Sequence, residues 1–260
     1  MSDLVTIERR GHLLLIGVDR PQKRNAWNLE IIQAVARAYT DLAADDGLRV
    51  GVVHGHGPDF TAGLDLADVA PALAGGDFAA VLPEELCDPW DFLREPCPKP
   101  IVLAVQGRCF TLGIELSLAS QVVVAAEDTV FAQLEVARGI FPFGGGTPRL
   151  GTRLGLRGLR WMLTAESFTA AEALEAGLVS EVVPTGTQLD RAIELAAQVA
   201  DNAPLAVQAA LAAYRAAERA GREAALDQLQ QRFPRVLGSK DAQEGMAAML
   251  ERRPPVFRGE

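Results

Sequence analysis

Two glutamates, Glu115 and Glu135, occupy corresponding positions at the ends of predicted elements that follow consecutive buried strands. Two carboxylates in one apolar pocket push their pKa values apart, leaving one able to take a proton and the other to give one. Adding water across a conjugated double bond requires such a pair. Around the first of them, Gly107-Arg108-Cys109-Phe110-Thr111-Leu112-Gly113-Ile114-Glu115-Leu116 reads as a turn between a buried strand and a helix. A helix that starts in a buried turn offers free backbone N–H groups and a positive dipole end, which suits a developing negative charge. The same first-turn position also suits a carboxylate that only complements the helix dipole. With 34 acidic residues in the chain, the spacing of the pair does not decide between these readings.

Other constellations carry less. His54 and His56 form an H-x-H pair after a strand, but no acidic or histidine partners recur at metal spacing. His12 is the only other histidine, which leaves a Ser-His-Asp triad without support. Gly144-Gly145-Gly146 has the look of a phosphate loop, but no Lys-Ser/Thr follows, so a nucleoside triphosphate site is not expected.

The elements that would position these residues alternate between strand and helix. A hairpin is expected over Val5–Glu8 and Leu13–Val18, joined through Gly11-His12, then a polar loop from Asp19 to Asn28. Asn28 is placed to cap an amphipathic helix over Leu29–Ala43. Buried strands are expected at Val50–Val53, Ile101–Val105 and Val122–Ala126, with shorter ones near Thr129–Phe131 and at Glu181–Val183. The helix after the central turn runs over Leu112–Ala119. Residues 68–98, with five prolines and Gly75-Gly76, form the least regular part, and Trp90, Phe92 and Leu93 give it apolar weight to wall a pocket. Arg138 to Pro148 reads as a loop. From Leu189 the pattern turns helical, with a second helix from Pro204 through Arg219, a third over Arg222–Phe233 and a fourth over Lys240–Leu250 behind a Ser239 cap. The expectation is an α/β core over residues 1–188 and a helical oligomerisation region over 189–260.

At 260 residues and 49% hydrophobic content, the chain can bury a large core. No apolar stretch reaches the roughly 20 residues of a bilayer span, and the charged Met1–Arg10 segment does not read as a signal peptide. Cys87, Cys97 and Cys109 lack paired spacing, which suits a reducing compartment and a cytoplasmic protein. A formal charge of −9 argues against nucleic-acid binding, but leaves room for a small anionic ligand held by local cations.

The motifs Arg20-Pro21-Gln22-Lys23-Arg24-Asn25-Ala26, Phe60-Thr61-Ala62-Gly63-Leu64-Asp65-Leu66, Lys99-Pro100-Ile101, Gly113-Ile114-Glu115-Leu116 and Gly145-Gly146-Thr147-Pro148-Arg149-Leu150 resemble the crotonase (enoyl-CoA hydratase/isomerase) superfamily. Thr169 through Val179 and the tail from Glu244 to Arg253 match as well, in order and across nearly the whole chain. The resemblance implies an α/β fold: a spiral of ββα units followed by a C-terminal helical trimerisation region, assembled as a homotrimer or homohexamer. It implies an acyl-CoA thioester as partner, with no cofactor beyond the coenzyme A moiety, no metal and no membrane. Its thioester carbonyl would be polarised by the backbone N–H groups of Leu64 and Leu112, one such donor being typically worth about 3 kcal/mol. Lys23, Arg24 and Ala26, with Ala62, Gly63, Asp65 and Leu66, correspond to loops that hold coenzyme A. Glu115 would activate water and Glu135 would protonate the α-carbon. Trp90, Phe141 and Phe143 are candidates for the acyl pocket. The implied activity is hydration of a 2-enoyl-CoA. The alternatives are isomerisation, decarboxylation, thioester hydrolysis or acyl-CoA binding without turnover. Thr111-Leu112 replaces the Gly-Gly usual in the family, and the bulk of Leu112 is expected to resist a positive φ and narrow the site. Phe143 replaces a small glycine.

Overall fold

The computed structural model describes residues 2–73, 81–202, 204–215, 218 and 237–255. In chain order the strands are β1 (Val5–Arg10), β2 (Leu13–Val18), β3 (Val50–Gly55), β4 (Ile101–Val105), β5 (Arg108–Phe110), β6 (Val122–Ala126), β7 (Val130–Ala132), β8 (Ser167–Thr169) and β9 (Glu181–Val183). The helices are α1 (Leu29–Ala44), α2 (Leu66–Leu73), α3 (Leu112–Ala119), α4 (Gly146–Thr164), α5 (Ala170–Ala176) and α6 (Gln188–Ala200). Residues 204–215 and Lys240–Glu251 add further helices.

Strands β2, β3 and β4 are buried along their whole length, as a sheet covered on both faces requires. They lie in a six-stranded sheet of order β1-β2-β3-β4-β6-β9, parallel throughout except for the β1–β2 hairpin. Alternate residues serve opposite faces. Leu13, Leu15, Val50, Val52, Val102, Ala104 and Val124 pack under Ala192, Ala196 and Ala200 of α6. Leu14, Ile16, Val53, Leu103 and Val105 meet Ile31, Val35 and Tyr39 of α1 and Ile114 and Leu118 of α3. A smaller sheet, β5-β7-β8, stands beside it.

Most expected elements are present, with instructive differences. The Asn28 side chain accepts from the Ile31 amide, and Ser239 accepts from Ala242, as their capping roles require. β1 runs two residues further than expected. The expected irregular stretch opens with α2, which tolerates Pro71 because Val69 and Leu73 bury themselves on its inner face. Among the described residues that follow, 90–94 are held around one side chain. Asp88 accepts from the amides of Trp90, Phe92, Leu93 and Arg94. Residues 138–148 are not one loop: a 3-10 turn, Val136–Arg138, precedes Gly139, and α4 starts at Gly146. The expected helix over Arg222–Phe233 and the end of the one reaching Arg219 lie outside the described residues.

Candidate active site

Two chain segments far apart in sequence are stitched together before any catalytic group is placed. The Thr61 amide donates to the Arg108 carbonyl and the Phe110 amide to Thr61, so the 61–66 loop lies along β5. The Ala62 amide reaches the Arg24 carbonyl, and the Trp27 amide reaches Gly63. Buried Asn25 holds the other side, donating to the His56 and Asp59 carbonyls. The result brings Leu64 next to the turn that begins α3. Gly63 has φ +105, and a Cβ there would stand 2.2 Å from Thr111 Oγ1. Only glycine permits so close an approach.

At the turn, Leu112 avoids a positive φ, as its bulk was expected to require. Thr111 carries the positive φ (50°, with ψ −107°), and Leu112 is already helical. A threonine in that region costs on the order of 1–3 kcal/mol, and surrounding contacts must hold it. They are present: the Thr111 amide donates to Ala132, while its carbonyl accepts from Ile114 and Glu115. As the first residue of α3, Leu112 has an amide with no acceptor inside the helix.

Every residue of α3 is buried, so Glu115 has no route to bulk solvent along its helix. Its Oε1 accepts from the Gly144 amide at 2.8 Å and the Gly146 amide at 3.0 Å. Burial pushes its pKa well above the carboxylate range, opposed by those two amides and, more weakly, by the Arg149 guanidinium. Glu135, the residue before the 3-10 turn, is equally buried. Its Oε1 accepts from Gln133 Nε2 at 3.1 Å, and among the described residues its Oε2 has no hydrogen-bond partner. Burial raises its pKa, and the nearby Glu115 charge raises it further. Amide-bonded Glu115 is therefore the better ionised member and Glu135 the better proton carrier.

Both carboxylates line one small cavity with Leu64, Leu66, Thr111, Leu112, Arg138, Ile140 and Phe143. A second, apolar cavity opens from it: Leu64, Leu112, Glu115 and Phe143 line both, and Val69, Trp90 and Phe92 belong to the second. Trp90 lines the second cavity and Phe143 lines both, whereas Phe141 lines neither. Lys23 and Arg24 have exposed side chains flanking the stitched loops, beside the half-buried Ala26 and Ala62. Asp65 is engaged within the protein, accepting from Arg20 Nη1 at 2.8 Å. His54 packs edge-on against His56 away from both cavities, and burial pushes its pKa down to about 4. Among the described residues no group of His, Cys, Asp and Glu is placed to hold a metal ion. No described helix is long and apolar enough to cross a membrane.

Sequence reasoning missed the groups that hold the carboxylates. Two glycines of the 144–146 run, Gly144 and Gly146, are the amide donors to Glu115. Gln133 is two residues before Glu135, a spacing that gave no signal. Arg149 donates to the Trp90 and Asp91 carbonyls, tying the aromatic wall to α4.

The enoyl-CoA hydratase/isomerase family model matches residues 8–260. The 2,3-dehydroadipyl-CoA hydratase of Escherichia coli K12 is 36% identical over 260 residues, covering all of both chains. A probable enoyl-CoA hydratase/isomerase from Mycobacterium abscessus is 44% identical, with a TM-score of 0.81 over 99% of each chain. A carnitinyl-CoA hydratase from Mycobacterium avium is 35% identical, with a TM-score of 0.86 over the full length of both. The chain belongs to the enoyl-CoA hydratase/isomerase family and has its crotonase-type α/β fold.

Proposed function

We propose that this family member is a hydratase that adds water across the 2,3 double bond of a 2-enoyl-CoA thioester. The observation that carries the reading is the unlike support of two buried glutamates in one cavity. Glu115 is held by two amides that favour its ionised form, and Glu135 has an oxygen with no partner among the described residues. Ionised Glu115 takes a proton from water as its oxygen bonds to C3. The electron pair of the double bond moves toward the thioester, whose oxygen gains negative charge. The Leu64 and Leu112 amides receive that oxyanion, a fixed pair of donors that need no reorganisation during the step. Protonated Glu135 then gives its proton to C2. Both groups lie on one side of the substrate, so the addition is syn. Lys23, Arg24 and the 62–66 loop are the proposed coenzyme A contacts, with the acyl chain against Trp90 and Phe143.

Replacing Glu135 with Gln removes the proton but keeps the shape. Hydration of short 2-enoyl-CoA esters should fall about 10²–10⁴-fold, with KM nearly unchanged. Purified wild-type protein that hydrates no 2-enoyl-CoA of any chain length would refute the reading. A second reading has its own observation: Phe143 lines both cavities together with Glu115, an apolar ring beside the carboxylate proposed to activate water. A drier pocket would move a proton between C2 and C4 instead, converting 3-enoyl to 2-enoyl thioesters. Product analysis with a 3-enoyl-CoA separates the two.

A further inference from the structure

Arg138 is the one charged residue of the catalytic cavity that the proposed mechanism does not use. It shares that cavity with Glu115, Glu135, Leu64 and Leu112, while Leu66, Ile140 and Phe143 supply apolar walls. Among the described residues its guanidinium has no hydrogen bond or ion pair, although most arginines described here have one. The charge that favours its cationic form is Glu135, and that carboxyl is held toward its protonated form. Burial destabilises the cation, as expected for a charge withdrawn from water without a partner.

The position is built, not incidental. The Arg138 amide donates to Glu135, Gly139 takes the left-handed conformation that ends the 3-10 turn, and the Ile140 amide folds back to Glu135. The Arg138 carbonyl packs against Gly245 of the last helix, where a Cβ would overlap it. A hydrocarbon acyl chain has no use for a cation held this way. A carboxylate does, because guanidinium binds it through two parallel charge-assisted hydrogen bonds. The chain's net charge of −9 offers no general attraction to anions, so recognition must be local.

We propose that Arg138 is a specificity-determining residue that binds a carboxylate on the acyl chain, making thioesters of short dicarboxylic acids the preferred ligands. This rests on the acyl-CoA reading above. Its test therefore measures binding, not turnover. Isothermal calorimetry would compare the saturated, unreactive glutaryl-CoA and adipyl-CoA with butyryl-CoA and hexanoyl-CoA. Wild-type protein should bind the carboxylate-bearing esters at least about tenfold more tightly, equivalent to about 1.4 kcal/mol. Arg138→Leu should bring the two classes to within about twofold, and Arg138→Lys should keep part of the preference, with charge but no fork. Equal wild-type affinities would overturn the proposal even if Arg138→Leu fails to fold. So would a variant that weakens all of these esters and free coenzyme A alike, which would assign the cation to the coenzyme A phosphates. Absent hydration with a preserved carboxylate preference would sink the hydratase reading alone.

Discussion

The two walls of the catalytic cavity hold their carboxylates by opposite means. On one wall Glu115 projects from α3, a helix buried on all sides, and is gripped by two amides from the start of α4. On the other, Glu135 opens a single 3-10 turn whose outer side leans on the C-terminal helix. Burial is the same for both, so it cannot be what distinguishes a base from an acid. The difference comes from the donors: fixed N–H groups favour the charged form, and their absence favours the neutral one. One wall is thus an anion cradle, and the other the proposed proton carrier, on a turn packed against a distant part of the chain.

The comparison breaks most severely if the cradle is filled. A Cβ at Gly144 would stand 2.6 Å from Glu115 Oε2 and 3.1 Å from its Cδ. Gly144→Ala should displace the carboxylate from both amides and lower kcat about 10²–10³-fold, the usual scale for losing a preorganised donor. Circular dichroism should stay unchanged. Wild-type turnover in this variant would show that the amide grip is dispensable. A smaller effect is expected on the opposite wall. Gly245→Ala forces a methyl against the Arg138 carbonyl, which is backbone and cannot swing aside. Overpacking of this kind costs about 1–3 kcal/mol, and the shifted turn should carry Glu135 with it, lowering kcat about tenfold. A reduced melting temperature with unchanged kcat would mean the last helix supports the fold without positioning the acid.

The two walls were not equally legible in the sequence. Glu115 could be placed from local pattern alone, because the apolar strand Ile101–Val105, the turn and the apolar helix are contiguous. Glu135 could be singled out by its position after a strand, but its role came only through family resemblance, since its support comes from Gln133, whose spacing carries no signal, and from Gly245, over a hundred residues away. Asp88 was equally silent: a single aspartate organises four amides in a stretch whose prolines suggested irregularity. Leu112 shows the limit of reading one position at a time. Its bulk does oppose a positive φ, and the positive φ falls on Thr111 instead, with Gly63 supplying the room. Such exchanges between neighbours and across loops are settled by packing, which local propensity does not encode.

The smallest expected effect is on stability, and it separates the two walls without any substrate. A carboxyl whose pKa is raised on folding binds more protons in the native state than in the unfolded one, so stability falls as pH climbs above its ordinary value of 4.5 and stops falling once the folded-state value is passed. Both glutamates have that sign. Replacement by Gln removes the titration in each case, but the walls should respond differently. Glu135→Gln leaves the Gln133 contact possible and eliminates a buried charge near Glu115. It should stabilise the protein at pH 7 by about 1 kcal/mol, with little gain at pH 4.5. Glu115→Gln instead replaces a charge-assisted acceptor by a neutral one at two amides, and bonds to a charged group are about twice as strong. That loss offsets the gain, so its melting temperature should stay near wild type across the same range. Melting curves of both variants between pH 4.5 and 8 measure this directly. Equal stabilisation by the two would mean that the Gly144 and Gly146 amides do not favour the charged form, and the proposed division into base and acid would lose its physical cause.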